Sequence, residues 1–376
     1  MNTPDRTTPA SRPRRTGCLA KVIVFSIALG LSLVVGEWVT RLLWAKEAIL
    51  FPRYHTRATY GPYQLRRLRP NTTFQHTSAD GTWTFTTNSQ GFRDTRDWRY
   101  ERTSGLGRVL VLGDSHTQGF ECRQERTFSA LLERRLRALG QPAEVLNCGV
   151  SGFGTAEQLA FFENEGVKYQ PDVVVLAWFT NDPDDSVKTG LFAVRDGKLV
   201  EEKREHQPGV GVLDAINRWR AGRWLSEHSY LYSLLFNRLW DLKKNLLSKR
   251  ANAAAAEFAI NAPTPEATAA NYQQELSGRL LERLHAACAK ADAKLIIVDV
   301  PFWTMIDDFK SSVPPGQQPV FERNCDAFLG SDEVLGKYRH VAEFFAAHGQ
   351  HHISETTHLL IAMALAEKIA GASSKQ

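Results

Sequence analysis

The chain is short of net charge: 46 Lys and Arg stand against 41 Asp and Glu, a formal +5 over 376 residues. Much of that excess lies in the first 21 residues and near residues 238 to 250, so nucleic acid is excluded as a partner. Cysteine is sparse, with five residues. Cys122, Cys148, Cys288 and Cys325 are too far apart in sequence for a compact disulfide framework or a zinc ribbon, and they read as buried single thiols. Cys18 precedes the apolar segment instead of following it, which is not the placement of a lipoprotein acceptor; it is free or palmitoylated. There is no internal repeat. The glycines of "NCGVSGFGT" (147 to 155) run G-x-x-G-x-G, the reverse of a dinucleotide fingerprint, and no phosphate loop or Cys/His cluster at ligand spacing occurs. No metal or organic cofactor is implied.

What the sequence does have is a globular composition, 43% hydrophobic and 10% aromatic, enough for a sizeable core. Residues 22 to 36, "VIVFSIALGLSLVVG", are uncharged, and with flanking apolar residues the run extends from Leu19 to Trp44, the length of a bilayer span. No small-x-small cleavage site clearly follows, so the segment reads as an anchor in preference to a cleaved signal. Arg12, Arg14, Arg15 and Lys21 precede it, which places the N-terminus in the cytoplasm and the remainder in the periplasm or outside the cell. The lipid bilayer is thus one expected partner; nothing points to a protein partner.

From residue 107 onward short apolar strands alternate with amphipathic helices. Strands are expected at 108–114, 144–149, 172–179 and 294–301, and helices at 126–140, 155–166, 272–291, 333–347 and 356–370. The pattern predicts an α/β fold, a three-layer α/β/α sandwich with a central parallel sheet. The organisation it suggests is a tail (1–18), an anchor (19–44), an N-terminal extension packing on the catalytic domain (45–106) and the main domain (107–376). Within the last, a helical and hairpin cap inserts at 183–271, with a hairpin turning at Asp196 and Gly197. The cap has its own small core or a lipid-touching face, and "ANAAAAEFAINAPTPEATAAN" (251–271) reads as a linker or frayed helix end.

Ligands of such sheets gather at the carboxyl ends of the strands. The first strand ends in "VLGDSHTQG" (111–119), the second leads into "NCGVSGFGT", the third into "FTNDPDD" (179–185), and "HHISETTH" (351–358) precedes the last helix. These four blocks in order resemble the SGNH (GDSL-type) hydrolase superfamily. More narrowly the chain is similar to membrane-anchored bacterial SGNH proteins, with "TNSQGFRD" (87–94) upstream, and the resemblance runs from the anchor to Ile369. It implies a flavodoxin-like SGNH sandwich, Ser115 as nucleophile, and an oxyanion hole made by the backbone N–H groups of Ser115 and Gly152 and the amide of Asn181. Physical chemistry agrees, because a serine hydroxyl needs a base and the tetrahedral oxyanion needs preorganised donors. Thr117 rules out the G-x-S-x-G elbow of the α/β-hydrolases. Asp114 reads as a turn-tying residue, and Asn88, Gly91, Phe92 and Arg93 as residues that seat the N-terminal segment.

The base is harder to assign. Aligning Ile361 and Ala362 with the family's apolar-Ala pair selects His352, and then Gly349 stands where the family has Asp. Glu355 and His358 form an alternative acid and base. Without the acid, a backbone carbonyl would have to orient the imidazole. The expected activity is an extracytoplasmic serine esterase acting on O-acyl, chiefly O-acetyl, esters of a cell-envelope or secreted polysaccharide or of a small ester substrate. An O-acyltransferase, and a non-catalytic SGNH-like glycan-binding or scaffold protein, are the alternatives.

Overall fold

The computed structural model describes residues 16 to 256 and 265 to 373. It divides into two units, residues 1–45 and 46–376. The first consists of helix α1 (Thr16–Trp44), whose stretch Cys18–Trp44 has mean hydropathy 2.4 and is long and apolar enough to cross a membrane. Of the basic residues used for the orientation, Arg12, Arg14 and Arg15 lie outside the described residues and Lys21 lies in α1.

The second unit opens with two antiparallel hairpins, β1 (His55–Tyr60) with β2 (Tyr63–Leu68) and β3 (Thr72–Ser78) with β4 (Gly81–Thr87). Then come β5 (Gly107–Gly113), α2 (Ser115–Gln118), α3 (Phe128–Ala138), β6 (Ala143–Asn147), α4 (Thr155–Asn164), β7 (Val173–Trp178) and α5 (Asp182–Thr189). The excursion that follows holds the hairpin β8 (Phe192–Arg195) and β9 (Lys198–Glu201), turning at Asp196 and Gly197, and the helices α6 (Val210–Arg218), α7 (Arg220–His228) and α8 (Tyr230–Ala256). The chain closes with α9 (Pro265–Lys290), β10 (Lys294–Asp299), the hairpin β11 (Phe302–Met305) and β12 (Asp308–Lys310), α10 (Gln318–Arg323), β13 (Ala327–Leu329), α11 (Ser331–Leu335) and α12 (Glu355–Ser373). Of the 251–271 stretch, both ends are helical and residues 257–264 lie outside the described residues.

The central sheet is parallel, in the order β6-β5-β7-β10-β13. This is the flavodoxin-like arrangement, and its order reverses between β5 and β7. Alternation along β5 separates the two faces. Leu110 and Leu112 pack with Leu159 of α4 and Leu280 of α9, while Val109 and Val111 pack with Leu132 of α3 and Leu365 of α12. Helices therefore cover both faces, giving the three layers expected from the sequence. A third cluster under the β3–β4 hairpin joins Phe51, Tyr54, Phe74 and Phe85 to Phe120.

One expectation fails. The helix at 333–347 stops at Leu335; beyond it the backbone bonds elsewhere, with His340 N–H donating to Asp307, Phe344 N–H to Ile306 and Ala346 N–H to His352. Phe344 and Phe345 fill the core from an irregular strand-like run, so tertiary pairing overrides helical periodicity. The edge strand β13 and the β11–β12 hairpin were also unforeseen. Both are three or four residues long, too short for a periodicity to register.

Candidate active site

Loops from three adjacent strands, β6, β5 and β7, meet at the carboxyl edge where the strand order reverses. After β5, Asp114 accepts the His116 N–H at 2.8 Å and starts the single turn α2, so Ser115 is its first residue. Burial raises the Asp114 carboxyl to about 6. It is a cap, as the sequence suggested. A first-turn N–H has no intrahelical acceptor, which leaves that of Ser115 available at the loop.

The turn is held from outside the sheet. Arg93, 3% exposed, donates to the carbonyls of Gln118 (2.9 Å), Gly119 and Cys122 (2.7 Å) and lies over the Phe85 ring at 3.6 Å. Asn88 accepts the N–H groups of Gln90 and Phe92 and donates to the Arg96 carbonyl at 2.7 Å. The "TNSQGFRD" segment therefore seats the N-terminal hairpins, and it also fixes the chain that follows Ser115.

His352 comes from the irregular run before α12. Its Nε2 lies 2.9 Å from Ser115 Oγ, and its ring packs on Phe120 and His116 at centroid distances of 5.0 and 4.7 Å. On the far side, Glu121 Oε2 is 3.5 Å from His352 Nδ1 and accepts the His352 backbone N–H at 3.4 Å. Sequence reasoning missed Glu121. The Glu121 side chain is fully buried and its backbone is left-handed, φ +55. Gly349, the position where an acid was expected, has φ +68, and a Cβ there would stand 1.9 Å from Glu121 Oε1. The carboxylate of Glu121 fills the space that the missing acid would occupy. The available signal was the acid in "GFE" (119–121), directly after the serine turn.

The alternative acid and base are overturned. Glu355 is bound by Arg123 through its backbone N–H and guanidinium. His358 is buried against α3, its Nδ1 accepting the Phe128 N–H at 3.1 Å and its ring stacked on Phe128. Burial, aided by the charge of Arg93, pushes the His358 imidazole down to about 3. Neither side chain reaches Ser115.

In the second loop, Gly152 has φ +75, the left-handed region that favours glycine, and a Cβ there would press on the Arg66 guanidinium. Its carbonyl accepts from Arg66, and the Ser151 N–H donates to Gln118 Oε1 at 2.8 Å, which ties this loop to the serine turn. In the third loop Asn181 precedes α5, and its Nδ2 donates to Asp185 Oδ2 at 3.0 Å. Asp182 accepts the Phe179 N–H at 3.1 Å and closes the loop on itself. The four cysteines of the second unit are unpaired and buried, as read from their spacing.

The model of the GDSL-like lipase/acylhydrolase family matches residues 111–318, more than half of the chain. The chain belongs to that family. No curated protein matches it. Among solved structures, the chain is similar to the lipase/acylhydrolase from Enterococcus faecalis, at 14% identity over 71% of this chain and 97% of that one, with a TM-score of 0.36. It is also similar to a catalytic mutant of an acetylxylan esterase from Geobacillus stearothermophilus, at 13% identity over 71% and 96%, with a TM-score of 0.37. Membership of the GDSL-like family makes the protein an SGNH serine ester hydrolase. The family match ends before His352 and begins after both N-terminal hairpins. In this hydrolase, His352 and Arg93, which braces the serine turn, both lie outside the matched segment.

Proposed function

We propose that the protein is a membrane-anchored esterase that removes O-acyl groups, chiefly O-acetyl, from a polysaccharide on the outer side of the membrane. Ser115 is the nucleophile, His352 the base and then the acid, and Glu121 the carboxylate that orients the imidazole. The observation that carries this reading is the line Ser115 Oγ to His352 Nε2 at 2.9 Å and His352 Nδ1 to Glu121 Oε2 at 3.5 Å.

His352 Nε2 takes the hydroxyl proton as Oγ bonds to the ester carbonyl carbon. The carbonyl electron pair moves to oxygen, where the N–H groups of Ser115 and Gly152 and the second Nδ2 hydrogen of Asn181 receive it. Each such donor contributes roughly 3 kcal/mol. The tetrahedral adduct collapses, the C–O bond to the sugar breaks and His352 returns the proton to the leaving oxygen. Water, activated by the same imidazole, then cleaves acyl-Ser115. Glu121 holds the Nδ1–H tautomer and stabilises the imidazolium formed in both transition states.

An aromatic wall beside the histidine supports a saccharide. Trp303 stacks on His351 at 4.2 Å with an interplanar angle of 11°, and Phe302 lies 6.3 Å from Phe179, which itself packs on His116. Trp303 and Phe302 are 38% and 43% exposed, leaving flat apolar faces for the C–H face of a pyranose ring. The apolar α1 and the basic residues before it support placement outside the cytoplasm.

Ser115→Ala is expected to abolish hydrolysis of aryl acetates while leaving the thermal midpoint unchanged, because only a half-buried hydroxyl is removed. Turnover that persists in this variant would exclude Ser115 as the nucleophile.

A further inference from the structure

Gly152 also borders a cavity that the catalytic steps do not use. Its lining brings together Arg53, Arg66, Lys188, Lys243 and Lys244, and Asp185 is the one carboxylate among the described lining residues. Arg53 and Arg66 come from the N-terminal hairpin region, the two lysines of α8 from the cap, and Lys188 from α5. Three separate segments of chain thus converge like charges on one space.

The two arginines are only partly balanced, with Asp241 a carboxylate that acts on Arg53. Lys188 is paired with Asp184 and Asp185, at 2.5 and 2.9 Å. Arg66, 6% exposed, donates one Nη2 bond to Gly152, and its buried Nε has no partner among the described residues. The nearest carboxyl, Glu157, is 4.0 Å away, and burial pushes it up to about 8, so at neutral pH it carries a proton. Arg53 donates to Asn237 at 3.2 Å and lies 5.1 Å from the Trp240 ring, again with an unpartnered Nε. His55, 3% exposed and also in the lining, has no partner on either ring nitrogen among the described residues. Burial and the charges of Arg66 and Arg53 hold it neutral, and His206 is pulled down to about 3 by burial, Arg66 and two lysines. Buried guanidinium N–H groups without acceptors are costly. A carboxylate or phosphate entering the cavity would offset the surplus positive charge of its lining.

We propose that this cavity holds an anionic group, a carboxylate or a phosphate, borne by the same molecule that presents its ester to Ser115, so that the substrate is an acylated acidic saccharide. The inference rests on the esterase reading, and Gly152 links the two sites: its N–H faces the reaction in that reading while its carbonyl is held by Arg66. The charged site is built by the extension and the cap, the parts of the chain that decorate the sheet.

The test uses the full chain in detergent with three O-acetylated substrates of matched length: an oligouronate, a glycosyl phosphate and a neutral xylo-oligosaccharide. At low salt, kcat/KM for one of the two anionic esters is expected to exceed that for the neutral one by about tenfold or more, and the preference to shrink in about 0.5 M NaCl. The Lys243→Gln/Lys244→Gln double variant, changed at exposed positions, is expected to lose most of that preference while its neutral-substrate rate moves little; Arg66→Gln is expected to lose it too. Whichever anion is preferred identifies the source. Separately, Ser115→Ala is expected to bind the deacetylated form of that anionic saccharide saturably. Equal kcat/KM for all three esters with no such binding overturns the anion site and leaves the esterase standing. An equal loss on all substrates in the lysine double variant overturns it as well. If no ester is cleaved but Ser115→Ala binds the anionic saccharide, the esterase reading falls and the anion site stands.

Discussion

Glu121 and Gly349 are one feature seen from two positions. In the proposed mechanism Glu121 takes the place of the acid that the resemblance puts three residues before the histidine, and glycine at 349 leaves room for its side chain. Installing Asp at 349 while Glu121 is present is therefore damaging: the new Cβ would overlap Glu121 Oε1, and the residue would sit at φ +68. Glu121→Gln is expected to lower kcat by about 10³ to 10⁴ with KM little changed, since it removes the charge that orients the imidazole and stabilises its cation. Gly349→Asp alone is expected to lower activity, and Glu121→Ala/Gly349→Asp to recover part of what Glu121→Ala loses. Measuring kcat/KM for these variants on one acetate ester checks the set. Full activity in Glu121→Gln would remove the carboxylate from the mechanism.

At the scale of elements, α12 is clamped to α3 by a histidine that works only when neutral. His358 Nδ1 accepts from the Phe128 backbone, and burial holds the imidazole near 3 in the folded protein against an ordinary value of 6.5. Between those values the unfolded chain takes up a proton that the folded one refuses, so stability is lost as pH falls from about 6.5 toward 3, by up to about 1.4 kcal/mol per pH unit for this one group. Buried His55, His76 and His116 are shifted in the same direction and steepen the loss. His358→Gln keeps an acceptor for the Phe128 N–H and is expected to flatten the fall by one proton, seen in urea unfolding at pH 7, 5 and 4. An unchanged slope would mean that His358 is protonated in the fold.

For the whole molecule, the helix Cys18–Trp44 and the hydrolase unit make separable predictions. The full chain expressed in bacteria is expected to remain in the membrane fraction after a carbonate wash, with residues beyond 45 open to protease added from the outer side. A processed, freely soluble product would instead identify α1 as a cleaved signal. The two hairpins that precede the sheet matter here too. They carry Arg93 to the serine turn, Phe85 to the cluster that seats Phe120, and Arg66 to Gly152, so the extension is part of the active site's support and not a spacer.

The sequence by itself determined the parallel sheet and the loops that carry Ser115, Gly152 and Asn181, because buried strands ending in Gly, Asp and Asn leave a local pattern. The family resemblance, with Ile361 and Ala362 aligned to its apolar-Ala pair, singled out His352. Only the tertiary structure decided which carboxylate stands behind the histidine. Glu121 and His352 are 231 residues apart, and their approach follows from Arg93 and Phe120 fixing one loop while Phe345 and Ile353 pair to fix the other. The failed helix at 333–347 has the same origin, since Phe344 and Phe345 are spent on the sheet face and the N–H groups of His340 and Phe344 on the β11–β12 connection. A contact made by packing between distant segments has no period and no fixed spacing, so it leaves no local mark in the chain.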